Sequence, residues 1–194
     1  MSQPQWRLAT PDDRRLFESF TCTRPVPKSA FGRKKPPPHP KPWEKDVEKW
    51  YHEVAYKRAS VKQADDTRIW VAVADGEIAA ASAHSLPGED HEQWLRARLG
   101  GFKGPIRLLL TVAVSTTWRG QGGRLADEAC EQALADAVDR SGGHATLVVC
   151  RIDMRNRASE AMAQRHYFDP LSDGPDEFDP DMRQWAVMAE ADDS

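Results

Sequence analysis

Residues 108–125, LLLTVAVSTTWRGQGGRL, constrain this chain more than any other stretch, because they join an apolar strand to a glycine-broken turn and then to a long amphipathic helix. Gly120, Gly122 and Gly123 stand among Arg119, Gln121 and Arg124. Glycines in such a turn let successive backbone N–H groups point inward, and the helix that follows adds its positive end to the same spot. The pattern suits a phosphate-rich ligand. Its spacing excludes two familiar versions of that chemistry, since there is no G-x-G-x-x-G of a dinucleotide fold and no G-K-[ST] of a nucleoside triphosphate loop. The alternative is an ordinary glycine-rich connection between a strand and a helix.

A second block stands one strand further on. Residues 145–152 (ATLVVCRI) form a continuous apolar run of the kind buried on both faces, and residues 153–156 then lead into a helical segment reaching about Phe168. On its own, Asn156 reads equally well as a helix N-cap, whose side chain satisfies a free N–H.

Together the two blocks resemble the GNAT superfamily of N-acyltransferases. In that family a strand ending in apolar-x-Val is followed, four residues later, by an aromatic residue and then R-G-x-G. Val112, Val114, Trp118, Arg119, Gly120 and Gly122 fall in that register, and residues 156–159 (NRAS) resemble the N-x-A-S start of the family's fourth helix. The resemblance covers the chain from Arg68 onward. It implies acetyl-CoA as acyl donor, held through the backbone of Val112, Ala113 and Val114, with Arg119, Gly120, Gln121, Gly122, Gly123 and Arg124 around the diphosphate and Asn156 on the pantetheine arm. The N–H near Val114 is expected to polarise the thioester carbonyl.

Two departures from the family pattern carry consequences. Gly123 and Arg124 stand where the family has a bulky and then a small residue, and a one-residue deletion in the loop restores the pattern. With that gap, Leu125, Ala126, Ala129, Cys130, Ala133, Leu134, Ala137 and Val138 form one stripe at helical spacing. The second departure concerns proton transfer. The family often places a tyrosine seven residues after the asparagine, as the acid for the departing thiolate, and here that position is Ala163. Tyr167, one turn further, is the nearest substitute, with a core-packing tyrosine as the alternative reading and His166 a weaker candidate.

The rest of the chain completes an α/β plan. Residues 5–9 read as a first strand, and residues 10–13 (TPDD) cap a helix to about Phe20. Residues 24–42 carry seven prolines and little that is apolar, so they form a loop, which in the family faces the acceptor. Trp43, Val47, Trp50, Tyr51, Val54 and Ala55 recur at helical spacing, predicting an amphipathic helix over 43–60. Residues 68–74 and 77–84 flank Asp75–Gly76 as a hairpin, 89–99 form a short helix, and 183–189 a last strand before an acidic tail at 190–194. The fold implied by this order is the GNAT-type mixed, mostly antiparallel sheet, splayed between its fourth strand (106–114) and fifth strand (145–152) and flanked by helices. A single domain over 1–194 accounts for the length.

A net charge of -3 gives no overall positive field to draw the chain to nucleic acid, and no stretch approaches the roughly 18 apolar residues of a membrane span. Residues 1–6 lack a secretory apolar run, and the odd, scattered Cys22, Cys130 and Cys150 predict reduced structural thiols, so the expected setting is the cytoplasm. No metal is expected. A homodimer is a common state among proteins of this kind and is left open.

The function that the resemblance implies is N-acetyl transfer to a primary amine of a small molecule or peptide, by direct attack in a ternary complex. His84, Glu89 and Asp153 are reachable candidates for the base, each equally readable as a solvated or capping residue. A non-catalytic acyl-CoA-binding domain and a toxin-like acetyltransferase acting on aminoacyl-tRNA stay open as alternatives.

Overall fold

The computed structural model describes residues 2–24, 41–60, 65–120 and 123–191. Their strands form a 7-stranded sheet in the order β1-β2-β3-β4-β5-β7-β6. The strands are β1 Gln5–Leu8, β2 Arg68–Ala74, β3 Glu77–Ser85, β4 Ile106–Val114, β5 Thr146–Asp153, β6 Asp169–Pro170 and β7 Met182–Ala189. Neighbours are antiparallel throughout, except for the parallel pair β4 and β5. Among the described residues six α-helical segments flank the sheet: α1 Arg14–Ser19, α2 Pro42–Trp50, α3 Tyr56–Ser60, α4 Glu89–Arg98, α5 Arg124–Arg140 and α6 Arg157–Arg165. The mixed α/β class and the element order agree with the sequence reading.

Local chemistry explains the strongest elements. At the β2–β3 turn both Asp75 and Gly76 have positive φ, 51° and 80°. That is the geometry a two-residue hairpin of right-twisted strands demands. In α5, Leu125, Ala129, Cys130, Ala133, Ala137 and Val138 are buried, and Ala126 and Leu134 pack beside them. The stripe predicted with a shortened loop is therefore the face that meets the sheet. β5 is covered on both sides: Val148, Cys150 and Ile152 join the cluster under α5 and α6, while Leu147 and Val149 pack with Leu95 of α4. Burying such side chains stabilises by about 1.5–3 kcal/mol each.

The second face is closed by the N-terminal helices. Phe17, Phe20, Tyr51, Ala55, Ile69, Val71, Ala81 and Ala113 form one cluster there. Between α2 and α3 the helix runs on through a wider turn, Tyr51–Ala55, which keeps both Tyr51 and Ala55 fully buried. Tyr51 and Ala55 stand four residues apart and so share the helix face that meets this core.

The structure departs from expectation in smaller ways. α1 is a short helix ending at Ser19, preceded by a tight turn at Pro11–Asp13. The two-residue strand β6, on the edge beside β7, has no sequence signal. Most of the proline-rich loop (residues 25–40) and the end of the acidic tail (residues 192–194) lie outside the described residues. Among those described, no helix is long and apolar enough to cross a membrane.

Candidate active site

β4 and β5 start as a pair and then part. Their parallel register runs from Ile106–Leu147 to Leu109–Cys150 and stops there, although β4 continues to Val114 and β5 to Asp153. Along the same stretch β4 stays bonded to β3, and β5 to β7. Among the described residues the far half of β4 therefore has one edge without a strand neighbour, and a main-chain edge of this kind must find hydrogen-bond partners elsewhere.

An irregularity in β4 marks the point of parting. Opposite β3, Thr111 pairs with Ala83 and Leu109 with His84, which leaves Leu110 as an extra residue. This is a β-bulge, and it turns the strand locally. Leu110 is 41% exposed inside the opening, an unusual state for a leucine in a central strand.

The parted strands frame a cleft of about 820 Å³. The cleft is lined by Leu109–Val114 of β4, by residues 150–153 of β5, by the turn at Trp118, Arg119 and Gly120, and by the start of α5. Gly120 and Gly123 have φ of 96° and 88°, a region favourable only to glycine, and Gly123 is the N-cap of α5. The opening N–H groups of a helix lack partners within it, so this turn presents donors and a positive dipole end to the cleft. Trp118 is buried against Ala72, Ala74, Ala79, Ala80 and Leu125, which anchors the turn from behind.

Val112, Ala113, Val114, Arg119, Gly120, Gly123, Arg124 and Asn156 all line this cleft, so the structure brings these expected cofactor residues together. Gln121 and Gly122 lie outside the described residues. Arg119 is committed elsewhere: Nε donates to the Val114 carbonyl at 3.3 Å, one Nη to Glu44 at 3.0 Å, and the other to the Cys22 carbonyl. It ties the end of β4 to α2 and the Cys22 loop. Asn156 caps α6, accepting from Ser159 N at 3.4 Å and donating to Ser159 Oγ at 2.8 Å.

The catalytic candidates fare differently. Tyr167 is 85% exposed and is absent from the cleft wall, because the chain leaves α6 at that point with a φ of 60°. Neither the acid role nor the core-packing alternative fits that position. Ala163 is fully buried in the core beneath α6, so the cleft face of this helix is made by Ala158, Ser159, Met162 and Arg165 instead. His84 is not solvated and does not line the cleft; it is 0% exposed, sits opposite Leu109 in the sheet, and is bonded to Asp136 and Arg107. Glu89 is an exposed residue of the first turn of α4. Asp153 alone of the three base candidates lines the cleft. Bonds from Arg155, at 2.7 and 2.9 Å, hold its carboxyl below the usual range and so keep it ionised.

Other wall residues come from α2, where Trp43 and Val47 belong to the predicted amphipathic pattern, and from segments with no sequence signal. Trp43, Glu44, Asp46 and Val47 of α2 reach the cleft, as do Asp179, Asp181 and Met182 from the approach to β7. The Trp43 ring lies beneath Lys41 Nζ at 5.1 Å and Arg155 Cζ at 5.7 Å. Arg165 of α6 binds Asp127 in the first turn of α5 at 2.6 Å, and its Nη lies 3.2 Å from where a Cβ on Gly123 would stand. These residues come together only through the fold.

No family model matches the sequence, and no curated protein matches it either. Solved structures do. A chain of the GNAT family from Desulfovibrio desulfuricans superposes with a TM-score of 0.60 at 14% identity, covering 96% of this chain and 99% of that one. A ribosomal-protein-S18-alanine N-acetyltransferase from Escherichia coli gives 0.55 at 13% identity, covering 97% and 95%. A structure from Salmonella typhimurium, solved with its cofactor acetyl-CoA, gives 0.54 at 14% identity, covering 100% and 98%. With its sheet splayed beyond Leu109 and Cys150, and with these neighbours along its whole length, the chain has the fold of the GNAT acetyltransferases.

Proposed function

We propose that this protein is an N-acetyltransferase that moves an acetyl group from acetyl-CoA to a primary amine of a small molecule or peptide. The observation that carries the reading is the parted edge of β4, residues 110–114, continuous with the glycine turn that opens α5. The residues present fit such a donor. An extended chain of amides can bond to the open strand edge as a further strand would, and a diphosphate can sit at the helix start, where Gly120 leaves open space for it.

Acetyl-CoA would supply an activated acyl carbon and a thiolate leaving group. This chain's own contribution is mostly positional. The backbone of Val112, Ala113 and Val114 would fix the arm, the first turn of α5 would fix the diphosphate, and the Met162 and Ala158 face of α6 would close the far wall. Holding donor and amine in one cleft replaces a bimolecular encounter with an oriented one.

Asp153 and Arg155 set the electrostatics of the acceptor end. A carboxylate with a depressed pKa is a poor base but attracts an ammonium group well. In this reading Asp153 therefore orients the incoming amine, and the amine's proton leaves to cleft water. No tyrosine lines the cleft among the described residues, so the departing thiolate takes its proton from solvent as well.

The test is release of free thiol from acetyl-CoA across a panel of primary amines, read beside calorimetric binding of coenzyme A. Thiol release that depends on one class of amine supports the proposal. Tight binding without turnover on any amine would replace it with the non-catalytic acyl-CoA-binding reading, and absence of binding would remove both.

A further inference from the structure

α6 ends in a way that glycine ordinarily makes possible. Phe168 N donates to the Ala163 carbonyl at 3.0 Å and Tyr167 N to the Gln164 carbonyl at 3.1 Å, a paired closure of the last turn. That closure needs a left-handed residue just past the helix, and here Tyr167 fills the place with φ 60°. An aromatic L-residue is strained there. Nothing in the fold offsets the strain, for the side chain is 85% exposed and has no hydrogen-bond or ring partner among the described residues. Strain held at an exposed aromatic points to a contact with something outside the chain.

The neighbours of Tyr167 indicate what that contact is. His166 Nε2 lies 3.3 Å from Asp127 Oδ1, and Arg165 binds the same carboxylate while resting against Gly123. Arg165 and His166 therefore border the first turn of α5, where the diphosphate of the donor is proposed to sit, and Tyr167 follows them directly in the chain. A nucleotide tethered by its diphosphate at that turn would carry its base outward past the end of α6. An exposed, backbone-fixed tyrosine offers a flat face at that place, and a base can stack on it whatever its hydrogen-bonding edge.

We propose that Tyr167 is a stacking platform for the purine ring of the nucleotide donor, a role that rests on acetyl-CoA being the donor. It is a binding residue and takes no part in proton transfer. The experiment measures affinity by calorimetry for two ligands, coenzyme A and 4′-phosphopantetheine, which lacks the purine nucleotide. Tyr167→Ala should weaken coenzyme A roughly tenfold and leave 4′-phosphopantetheine unchanged, and Tyr167→Phe should match the unaltered protein with both.

Tyr167→Gly adds a second readout. It should raise the melting temperature by relieving the strain and at the same time weaken coenzyme A as much as Tyr167→Ala does. Unchanged coenzyme A affinity in both truncated variants, or an equal loss for both ligands, overturns the proposal. Failure of the unaltered protein to bind either ligand would overturn the donor assignment itself, and the platform with it.

Discussion

Gly123 shows how much one residue can fix. Its φ of 88° is open to glycine at little cost, and a Cβ there would sit 3.2 Å from the movable end of Arg165. Gly123→Val should lower stability by about 1–2 kcal/mol, through the left-handed backbone more than through the contact. Since the side chain would also stand at the opening N–H groups of α5, coenzyme A affinity should fall far more than folding does. Denaturant titration and calorimetry on the same variant separate the two, and unchanged affinity would move the diphosphate away from this turn. The left-handed turn at Gly120 and Gly123 was legible because glycine alone among residues advertises such a backbone conformation. The exposure of Tyr167 was not legible. Whether a residue four places beyond Ala163 stays on the helix face or leaves it depends on where the helix closes.

Elements were read from sequence wherever a period or a turn residue specified them. The β2–β3 hairpin, the buried stripe of α5 and the doubly covered β5 followed from Asp75–Gly76, from helical spacing and from an unbroken apolar run. The bulge at Leu110 could not follow, because it exists only as a mismatch between two strands far apart in sequence. Arg119 makes the same point. The family pattern assigns it to the cofactor loop, but its bonds to Glu44, to the Cys22 carbonyl and to the Val114 carbonyl join three elements. Arg119→Ala should cost about 1–3 kcal/mol by removing the nearer of the two arginines that pair with Glu44, Arg24 being the other at 3.7 Å, and by stripping a donor from the Val114 and Cys22 carbonyls. It should also loosen the start of α2, which hydrogen exchange would detect as faster amide exchange across the first turns of that helix. Exchange unchanged in α2 would show that the aromatic packing of Tyr51 with Phe17, Phe20 and Trp50 holds it alone.

Across the whole molecule, the sheet is open at one end and tied by charge at the other. Arg107 is 2% exposed and donates from Nε to His84 Nδ1 at 2.8 Å. Because arginine has only donors, Nδ1 carries a lone pair, and the ring proton sits on Nε2, bonded to Asp136 at 2.8 Å. Arg68 completes Asp136, while Asp66 joins Arg107 to Arg140. Burial first, and then the Arg107 charge, push the His84 pKa below its ordinary value against the pull of Asp136. The folded protein thus binds fewer protons at this site than the unfolded chain does. Stability is present in full above about pH 6.5 and declines as pH falls below it, by up to about 1.4 kcal/mol per pH unit for a single site. His91, also depressed by burial, adds to the same decline. Asp136, held ionised by His84 and Arg68 in spite of burial, extends the loss below about pH 4. Unfolding measured between pH 7 and 5 should show this slope, and His84→Gln should flatten it while lowering stability at neutral pH. A slope unchanged by that substitution would assign it to His91. The network also limits how sequences with this architecture can diverge. Changing Arg107, His84 or Asp136 singly strands a buried charge or lone pair, so these positions should vary in concert across homologues, or not at all.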